Sequence, residues 1–308
     1  MSAAKASSQK TIMVVVDPLT EEDQPVLHRA AWLAEKTGAA LELFAADYDA
    51  DIDSGRITTA WIPEPGAREQ LLLRHRRRLE NFASALRGRG LKVSVDVIWD
   101  YPLDEAIVRR VAAKQPWLVA KDTQHHTLIQ RTLFSNTDWN LIRDCPVPLL
   151  LVKRREIAAA PTVLAAIDPV HEHDKPARLD DAIYEFGAEL CAKTGGTLHL
   201  VHAVETPLGV QLPANVHAVV AAQHREAMET FLLEHPVPGP NVHVLEGLAH
   251  QCLLSAAESQ KADVLVMGAV VRRGLKKVLI GSTAARVLDR LPCDLVIIKP
   301  ATFILPGG

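Results

Sequence analysis

The residues best suited to chemistry lie in one segment of the second half of the chain. Residues 267–283 read MGAVVRRGLKKVLIGST. Gly268 and Gly281 offer backbone without a side chain, and Ser282 and Thr283 follow at the predicted start of a helix. Backbone N–H groups and hydroxyls at a helix N-terminus favour anions. Four cations lie between the two glycines: Arg272, Arg273, Lys276 and Lys277. The segment therefore predicts a polyphosphate site.

Other chemistry has weaker support in the sequence. The segment contains neither GxxxxGK[ST] nor GxGxxG, and Gly-Ser-Thr before a helix also fits a simple N-cap. The histidine pairs lack further ligands at metal spacing, so no metal site is predicted; they are His125-His126, His171/His173 and His199/His202. No nucleophile has an assignable base, so we expect a protein that is not an enzyme.

Strands and helices alternate along the chain and must position this segment. Predicted strands cover residues 11–16, 40–46, 91–98, 117–120 and 149–152, then 163–167, 197–203, 241–245, 264–267 and 295–298. Predicted helices cover residues 26–37, 67–87, 103–114 and 137–144, then 177–193, 216–234, 251–260 and 282–291. This alternation predicts an α/β protein with two Rossmann-like domains, each a five-stranded parallel sheet with helices on both faces. Ligands of such sheets collect at the carboxyl ends of the strands, where strand order reverses.

The second half of the sequence repeats the first. Residues 34–41 read AEKTGAAL and residues 190–198 read LCAKTGGTL, and each half begins with an apolar run that ends in Asp-Pro. The repeat predicts domains at residues 1–155 and 156–308. Because the first half has no glycine from Lys121 to Lys153, its site is expected to be degenerate.

Composition limits the class of protein. The 308 residues are 48% hydrophobic with a net charge of −3, which is typical of a globular protein and gives no case for DNA as a partner. The four cysteines are scattered, as expected for reduced, buried thiols of a cytoplasmic protein. No apolar run is long enough to span a membrane, and the first ten residues resemble a flexible lead-in rather than a signal peptide.

The glycine segment resembles the nucleotide-binding pattern of the universal stress protein family, G-x₂-G-x₉-G-[ST]. Gly268 matches the first glycine, and Gly281-Ser282 matches the last pair after the required nine residues. Val271 stands where the family has its second glycine. The doubled architecture and residues 134–139, FSNTDW, resemble the tandem members with two Usp domains.

The resemblance implies an adenine nucleotide site in the second domain, for ATP accompanied by Mg²⁺. Asp168 ends the first strand near the adenosine, the backbone at Val204 lies near the adenine, and Met267 precedes the glycine segment. The implied site comprises Asp168, Val204, Met267, Gly268, Val270, Gly281, Ser282 and Thr283. In the first domain Asp17 matches Asp168, but Lys121 takes the place of Gly268 and Phe134 that of Gly281, so no nucleotide is expected there.

The resemblance also implies a stress-response regulator with a small-molecule ligand and an unidentified protein partner. Two domains in one chain imply an intramolecular pseudo-dimer, and pairing of two chains into a homodimer stays open. Two alternatives remain: a scaffold that needs no nucleotide, and a binder of another ligand whose apolar moiety lies against Val270 and Val271. Slow ATP hydrolysis is a further function that the resemblance allows.

Overall fold

The structure is a computed structural model that describes residues 9–20, 23–54, 66–123, 136–170, 178–205, 213–269, 290–301 and 303. The chain forms two compact units, which divide between Asp122 and Thr123. Both have the α/β architecture that the sequence predicts. The domain bounds 1–155 and 156–308 follow from the repeat rather than from compactness, and they stay a prediction.

The first unit is a parallel sheet with its helices packed against it. Its strands are β1 (Thr11–Val15), β2 (Ala40–Asp47), β3 (Val93–Trp99) and β4 (Leu118–Asp122), and its helices are α1 (Pro25–Thr37), α2 (Ala50–Ser54), α3 (Ala67–Gly88) and α4 (Leu103–Lys114). The strand order is β3-β2-β1-β4. Because β1 lies between β2 and β4, the strand order reverses at β1.

The second unit repeats this arrangement and extends it. Its strands are β5 (Leu149–Val152), β6 (Thr162–Ala166), β7 (Thr197–Val204), β8 (Val242–Glu246), β9 (Val264–Gly268) and β10 (Asp294–Ile298). Its helices are α5 (Asn136–Asp144), α6 (Leu179–Thr194), α7 (Ala214–Glu234) and α8 (Ala249–Ser259). The strand order is β5-β10-β9-β6-β7-β8. Strand order reverses at β6, which lies between β7 and β9.

The repeated sequence blocks end equivalent helices in the same way. Gly38 after α1 and Gly195 after α6 both have a φ of 73°, a left-handed conformation that glycine adopts without strain. Each donates its N–H to a carbonyl of the last turn, at 2.8 Å. The shared Lys-Thr-Gly therefore encodes the same helix stop before the second strand of each unit.

One strand pair breaks the parallel pattern. β5 runs antiparallel to β10, with Leu151 opposite Leu295 and Leu149 opposite Ile297. The buried Asp294 supports the pair because its Oδ1 accepts a hydrogen bond of 2.9 Å from the backbone N–H of Lys153. This pairing makes β5 part of the second unit, although β5 closes the first repeat in sequence. The repeat could not predict it, since each half alone favours a purely parallel sheet.

Most element bounds agree with the sequence prediction to within two residues. The short helix α2 was not predicted, and β4 extends two residues further, to Asp122. The predicted last helix, 282–291, lies almost entirely outside the described residues. No helix in the described part of the chain is long and apolar enough to span a membrane. The cytoplasmic location stays a prediction.

The cysteines are buried and free, as the sequence predicts. Burial raises the pKa of the Cys145 thiol to about 11 and the pKa values of Cys191 and Cys293 to about 12. Thiols with such high pKa values carry little thiolate at neutral pH and are poor nucleophiles.

Candidate functional site

The candidate site lies at the carboxyl ends of β6, β7 and β9 in the second unit. Ala166, the last residue of β6, pairs with Val201 of β7 on one side and with Met267 of β9 on the other. In sheets of this kind, ligands bind at the edge where strand order reverses, which here is the carboxyl end of β6. The structure therefore brings Asp168, Val204, Met267 and Gly268 to one edge of the sheet.

Asp168 follows β6 by two residues and places a carboxylate at this edge. Its backbone N–H donates a hydrogen bond of 3.0 Å to Oδ1 of Asp180, in the first turn of α6. Asp180 is buried, whereas the side chain of Asp168 is 27% exposed. The backbone is thus anchored while the carboxylate reaches solvent at the strand end.

Two buried histidines lie beneath Asp168. The ring of His202, on β7, donates from Nδ1 to the carbonyl of Ile167 at 3.1 Å, and this nitrogen lies 4.0 Å from Oδ1 of Asp168. Nε2 of His202 lies 2.7 Å from Nδ1 of His224 on α7, and both side chains are about 1% exposed. The pair connects α7 to the loop that carries Asp168. His202 and His224 therefore act as positioning residues for that loop.

Sequence reasoning missed this support. In the sequence, His202 stands out only as a member of a histidine pair that lacks further metal ligands, and no motif marks His224 or Asp180. A signal was present, since His202 interrupts an otherwise apolar stretch of β7 and so needs a polar partner when buried. Which partner it finds depends on the packing of α7, which one sequence does not specify.

Val204 and Met267 contribute backbone rather than side chains to the edge. Their side chains are buried, and the carbonyl of Val204 accepts a hydrogen bond of 3.0 Å from the N–H of Gly247. Ala269, directly after β9, donates its N–H to the carbonyl of Ile298 at 3.1 Å. These bonds keep the strand ends in place at this edge.

Gly268 has a packing role that the sequence did not indicate. A Cβ atom added there would lie 2.7 Å from Cδ2 of Leu179 and 3.3 Å from Cδ1 of Ile183, both on α6. Absence of a side chain lets α6 approach the end of β9. Glycine at this position therefore avoids crowding against α6, whether or not a ligand approaches the backbone.

The phosphate-binding half of the predicted site cannot be placed. Val270, Gly281, Ser282 and Thr283 lie outside the described residues. The described half offers a carboxylate and strand-end backbone, which can accept hydrogen bonds from hydroxyl and amino groups. Within the described ranges, no cluster of three or more His, Cys, Asp or Glu side chains is arranged to hold a metal ion.

The equivalent edge of the first unit is built differently. The N–H of Asp17 donates to Oε1 of Gln24 at 2.9 Å, while Oδ1 of Asp122 accepts from the N–H of Val26 at 2.8 Å, in the first turn of α1. Val15 pairs with Lys121 in the first unit, as Ala166 pairs with Met267 in the second. Lys121 therefore corresponds to Met267, and the next residue, Asp122, corresponds to Gly268. The predicted match of Lys121 to Gly268 is wrong by one residue, because β4 continues through two polar residues. Phe134 lies outside the described residues.

The comparisons with known proteins point to one family. The model of the universal stress protein family matches residues 9–153 and 162–299. Universal stress protein E of Escherichia coli (strain K12) is 28% identical over 307 residues, covering 96% of this chain and 96% of that protein. The universal stress protein E homolog of Haemophilus influenzae is 24% identical and covers 95% of this chain and 98% of that protein.

Solved structures agree with the fold. A Pseudomonas aeruginosa UCBPP-PA14 structure described as a universal stress protein is 26% identical with a TM-score of 0.75, covering 95% of this chain and 94% of that one. A universal stress protein from Archaeoglobus fulgidus DSM 4304 is 19% identical with a TM-score of 0.67, covering 94% of this chain and 98% of that one. The second likeness shows the fold alone.

Proposed function

The chain belongs to the universal stress protein family as a tandem member with two Usp domains, and from this premise we propose that its second domain binds an adenine nucleotide. The ligand class is ATP with Mg²⁺. The expected role is regulation in a stress response, through binding rather than catalysis.

One observation carries the proposal: the second unit alone combines an exposed carboxylate at the strand-order reversal with the glycine pattern of the family. Asp168 is anchored through its backbone by Asp180 and keeps its carboxylate partly exposed. Its edge continues directly into the segment of Gly268 and Gly281-Ser282. Neither glycine has a counterpart in the first half, where Asp122 caps α1.

The described residues fit the nucleoside part of such a ligand. The Asp168 carboxylate would accept hydrogen bonds from ribose hydroxyls, and the strand ends at Val204 and Met267 would face the base. Val270, Gly281, Ser282 and Thr283 would take the phosphates through backbone and hydroxyl groups. Mg²⁺ would be held by the phosphates, in line with its preference for few protein ligands.

Binding would act by selecting one state of the protein. A ligand that prefers one arrangement stabilises it by mass action, and a protein partner then recognises that arrangement. The pseudo-dimer within the chain and the alternative homodimer are part of this proposal. Slow hydrolysis would need a base to orient water, and the sequence assigns none.

A scaffold without nucleotide is the second candidate, and one observation favours it. The contact of Gly268 with Leu179 and Ile183 accounts for that glycine by packing alone. Val271 in place of the second family glycine points the same way, and also suits a ligand whose apolar moiety lies against Val270 and Val271.

A matched pair of variants tests the proposal. We expect Asp168→Ala to weaken MgATP binding by a factor of about 10, the loss expected when a charge-assisted hydrogen bond is removed. Asp17→Ala, at the equivalent position of the first domain, should leave the affinity unchanged. Isothermal titration calorimetry gives the affinities, and native mass spectrometry counts the nucleotides per chain.

Gly281→Trp should abolish the one-nucleotide adduct while the melting temperature without nucleotide stays that of the parent. If the parent protein shows neither heat nor adduct at millimolar MgATP, the nucleotide assignment is wrong and the scaffold stands. If Asp17→Ala weakens binding as much as Asp168→Ala, the site has been placed in the wrong domain.

A further inference from the structure

Three aromatic side chains cluster at the carboxyl ends of β2 and β3, in the first unit. They are Tyr48, Trp99 and Tyr101, and we call them the aromatic platform. The ring centroid of Tyr48 lies 5.6 Å from that of Trp99 and 5.4 Å from that of Tyr101. At the equivalent strand ends of the second unit, Glu205 and Glu246 occupy the positions of Tyr48 and Trp99.

The platform is exposed yet held in place. Tyr101 is 69% exposed and Tyr48 is 36% exposed. Nε1 of Trp99 donates to Oδ1 of Asp53 at 2.9 Å, and the Tyr48 hydroxyl donates to Oδ2 of the same carboxylate at 3.4 Å. Exposed, ordered aromatic rings are typical of binding surfaces, because ordering them in advance lowers the entropy cost of association.

The surroundings of the platform are acidic. Residues 47–53 read DYDADID, with four carboxylates and no cation. Desolvation, followed by the charge and hydrogen bond of Asp53 and the charge of Asp49, raises the pKa of Tyr48. A ligand that covers these rings therefore meets negative charge, which disfavours phosphates and favours cations.

The platform already stacks one guanidinium. The side chain of Arg68, from the first turn of α3, lies over the ring of Trp99 at 5.4 Å from the centroid. Arg109 is engaged by carboxylates, because it pairs with Asp100 at 2.7 Å and with Glu105 at 3.0 Å. Among the described residues, no cation stacks on Tyr48 or Tyr101. These two rings, with carboxylates beside them, are therefore suited to bind a further guanidinium.

We propose that the aromatic platform docks an arginine-bearing segment of a protein partner. A guanidinium would stack on Tyr48 or Tyr101 and pair with the exposed carboxylate of Asp51. Arginine suits the surface better than lysine, because its planar guanidinium combines stacking on a ring with bidentate bonding to a carboxylate. The inference does not depend on nucleotide binding in the second domain.

The test measures binding of a short fluorescent peptide of alternating Arg and Gly to the full-length protein by fluorescence anisotropy. Tyr101→Ala should weaken binding about 30-fold, the change typical of an aromatic hot spot. Tyr101→Phe keeps the ring face and should bind as the parent does. Leu233→Ala is the matched control, since Leu233 is 85% exposed but lies in the second unit.

Two companion ligands separate the proposal from simpler explanations. A peptide with Lys in place of every Arg should bind at least about 5 times more weakly. Equal affinity for both peptides would mean that only the negative charge attracts them, and the platform would have no role. Free arginine amide that binds as tightly as the peptide would overturn the assignment of a protein partner. Unchanged binding by Tyr101→Ala would place the docking surface elsewhere.

Discussion

At equivalent positions of the two units, β2 and β3 carry two carboxylates that contact an arginine of α4, whereas β7 and β8 carry two histidines. Strand pairing defines the equivalence: Val15 pairs with Phe44 and Phe44 with Asp96, while Ala166 pairs with Val201 and Val201 with His243. Glu42 and Asp96 therefore correspond to His199 and His243.

The two sets satisfy their polar groups in different ways. In the first unit the guanidinium of Arg110, on α4, bonds the buried Glu42 and lies 3.0 Å from Oδ2 of Asp96. In the second unit Nδ1 of His199 lies 3.0 Å from Nε2 of His243, with their rings 4° from parallel. The two carboxylates of the first unit are neutralised by an arginine from a helix. The two histidines of the second unit instead interact with each other across the two strands.

The strand ends differ in the same sense. The first unit places Asp47, Tyr48 and Trp99 at its edge, where the second has Val204, Glu205 and Glu246. The end of β4 carries Asp122, whereas the end of β9 carries Gly268. The two units share the backbone register but differ in side-chain chemistry, so the proposals assign a cation to one edge and a nucleotide to the other.

The largest effect should come from Gly268→Asp, which gives the end of β9 the aspartate that ends β4 in the first unit. Gly268→Asp places a Cβ 2.7 Å from Leu179 Cδ2 and a carboxylate beside the apolar side chains of Leu179 and Ile183. We expect the free energy of unfolding to fall by roughly 4 kcal/mol, from overpacking together with burial of a charge. Urea denaturation measures it.

Gly239→Asp is the control for that substitution, since a Cβ at Gly239 meets nothing within 4 Å. It should change the free energy of unfolding by no more than about 0.5 kcal/mol. Equal losses for the two variants would show that α6 does not require the glycine at position 268.

The next effect concerns the arginine between the two carboxylates. Arg110→Ala leaves the buried Glu42 facing Asp96 without its cation, so the free energy of unfolding should fall by roughly 3 kcal/mol, as when one partner of a buried ion pair is removed. Urea denaturation at neutral pH measures the loss.

The neighbouring Arg109 supplies the comparison, because its side chain is 51% exposed in its pairs with Asp100 and Glu105. Arg109→Ala should cost less than about 1 kcal/mol. Adding Glu42→Gln to Arg110→Ala should recover part of the loss; no recovery would mean that packing of the arginine, not its charge, stabilises the sheet.

The smallest effect is a pH dependence peculiar to the second unit. Desolvation lowers the pKa of His199, with a contribution from His243, and desolvation lowers the pKa of His243. Each ring therefore binds its proton more readily in the unfolded chain. Stability is full above the unfolded pKa of about 6.5 and declines as pH falls through that value toward the folded pKa values.

Thermal unfolding between pH 8 and pH 5 checks this dependence. His243→Gln should reduce the decline in melting temperature at the acidic end, because one titrating ring is gone. Parallel profiles for the parent and His243→Gln would show that the pair does not contribute to acid sensitivity.

Much of the fold was encoded locally enough for the sequence to predict it. Apolar runs, helical spacing and the Lys-Thr-Gly stops place the elements, and the repeat with its glycine segment indicates the family and the half that carries the candidate site. These features are local because each depends on residues within one turn or one strand. They also bring Asp168, Val204, Met267 and Gly268 to one edge, since parallel strands end together.

Only the tertiary structure decided which side chains meet across elements. Examples are the antiparallel β5–β10 pair, the contact of α6 with Gly268, the His202–His224 pair under Asp168 and the aromatic platform. Each joins residues from separate elements, and its geometry depends on strand register and helix packing. One sequence specifies neither, because a shift of one residue, as between Lys121 and Asp122, moves a side chain to the other face of the sheet.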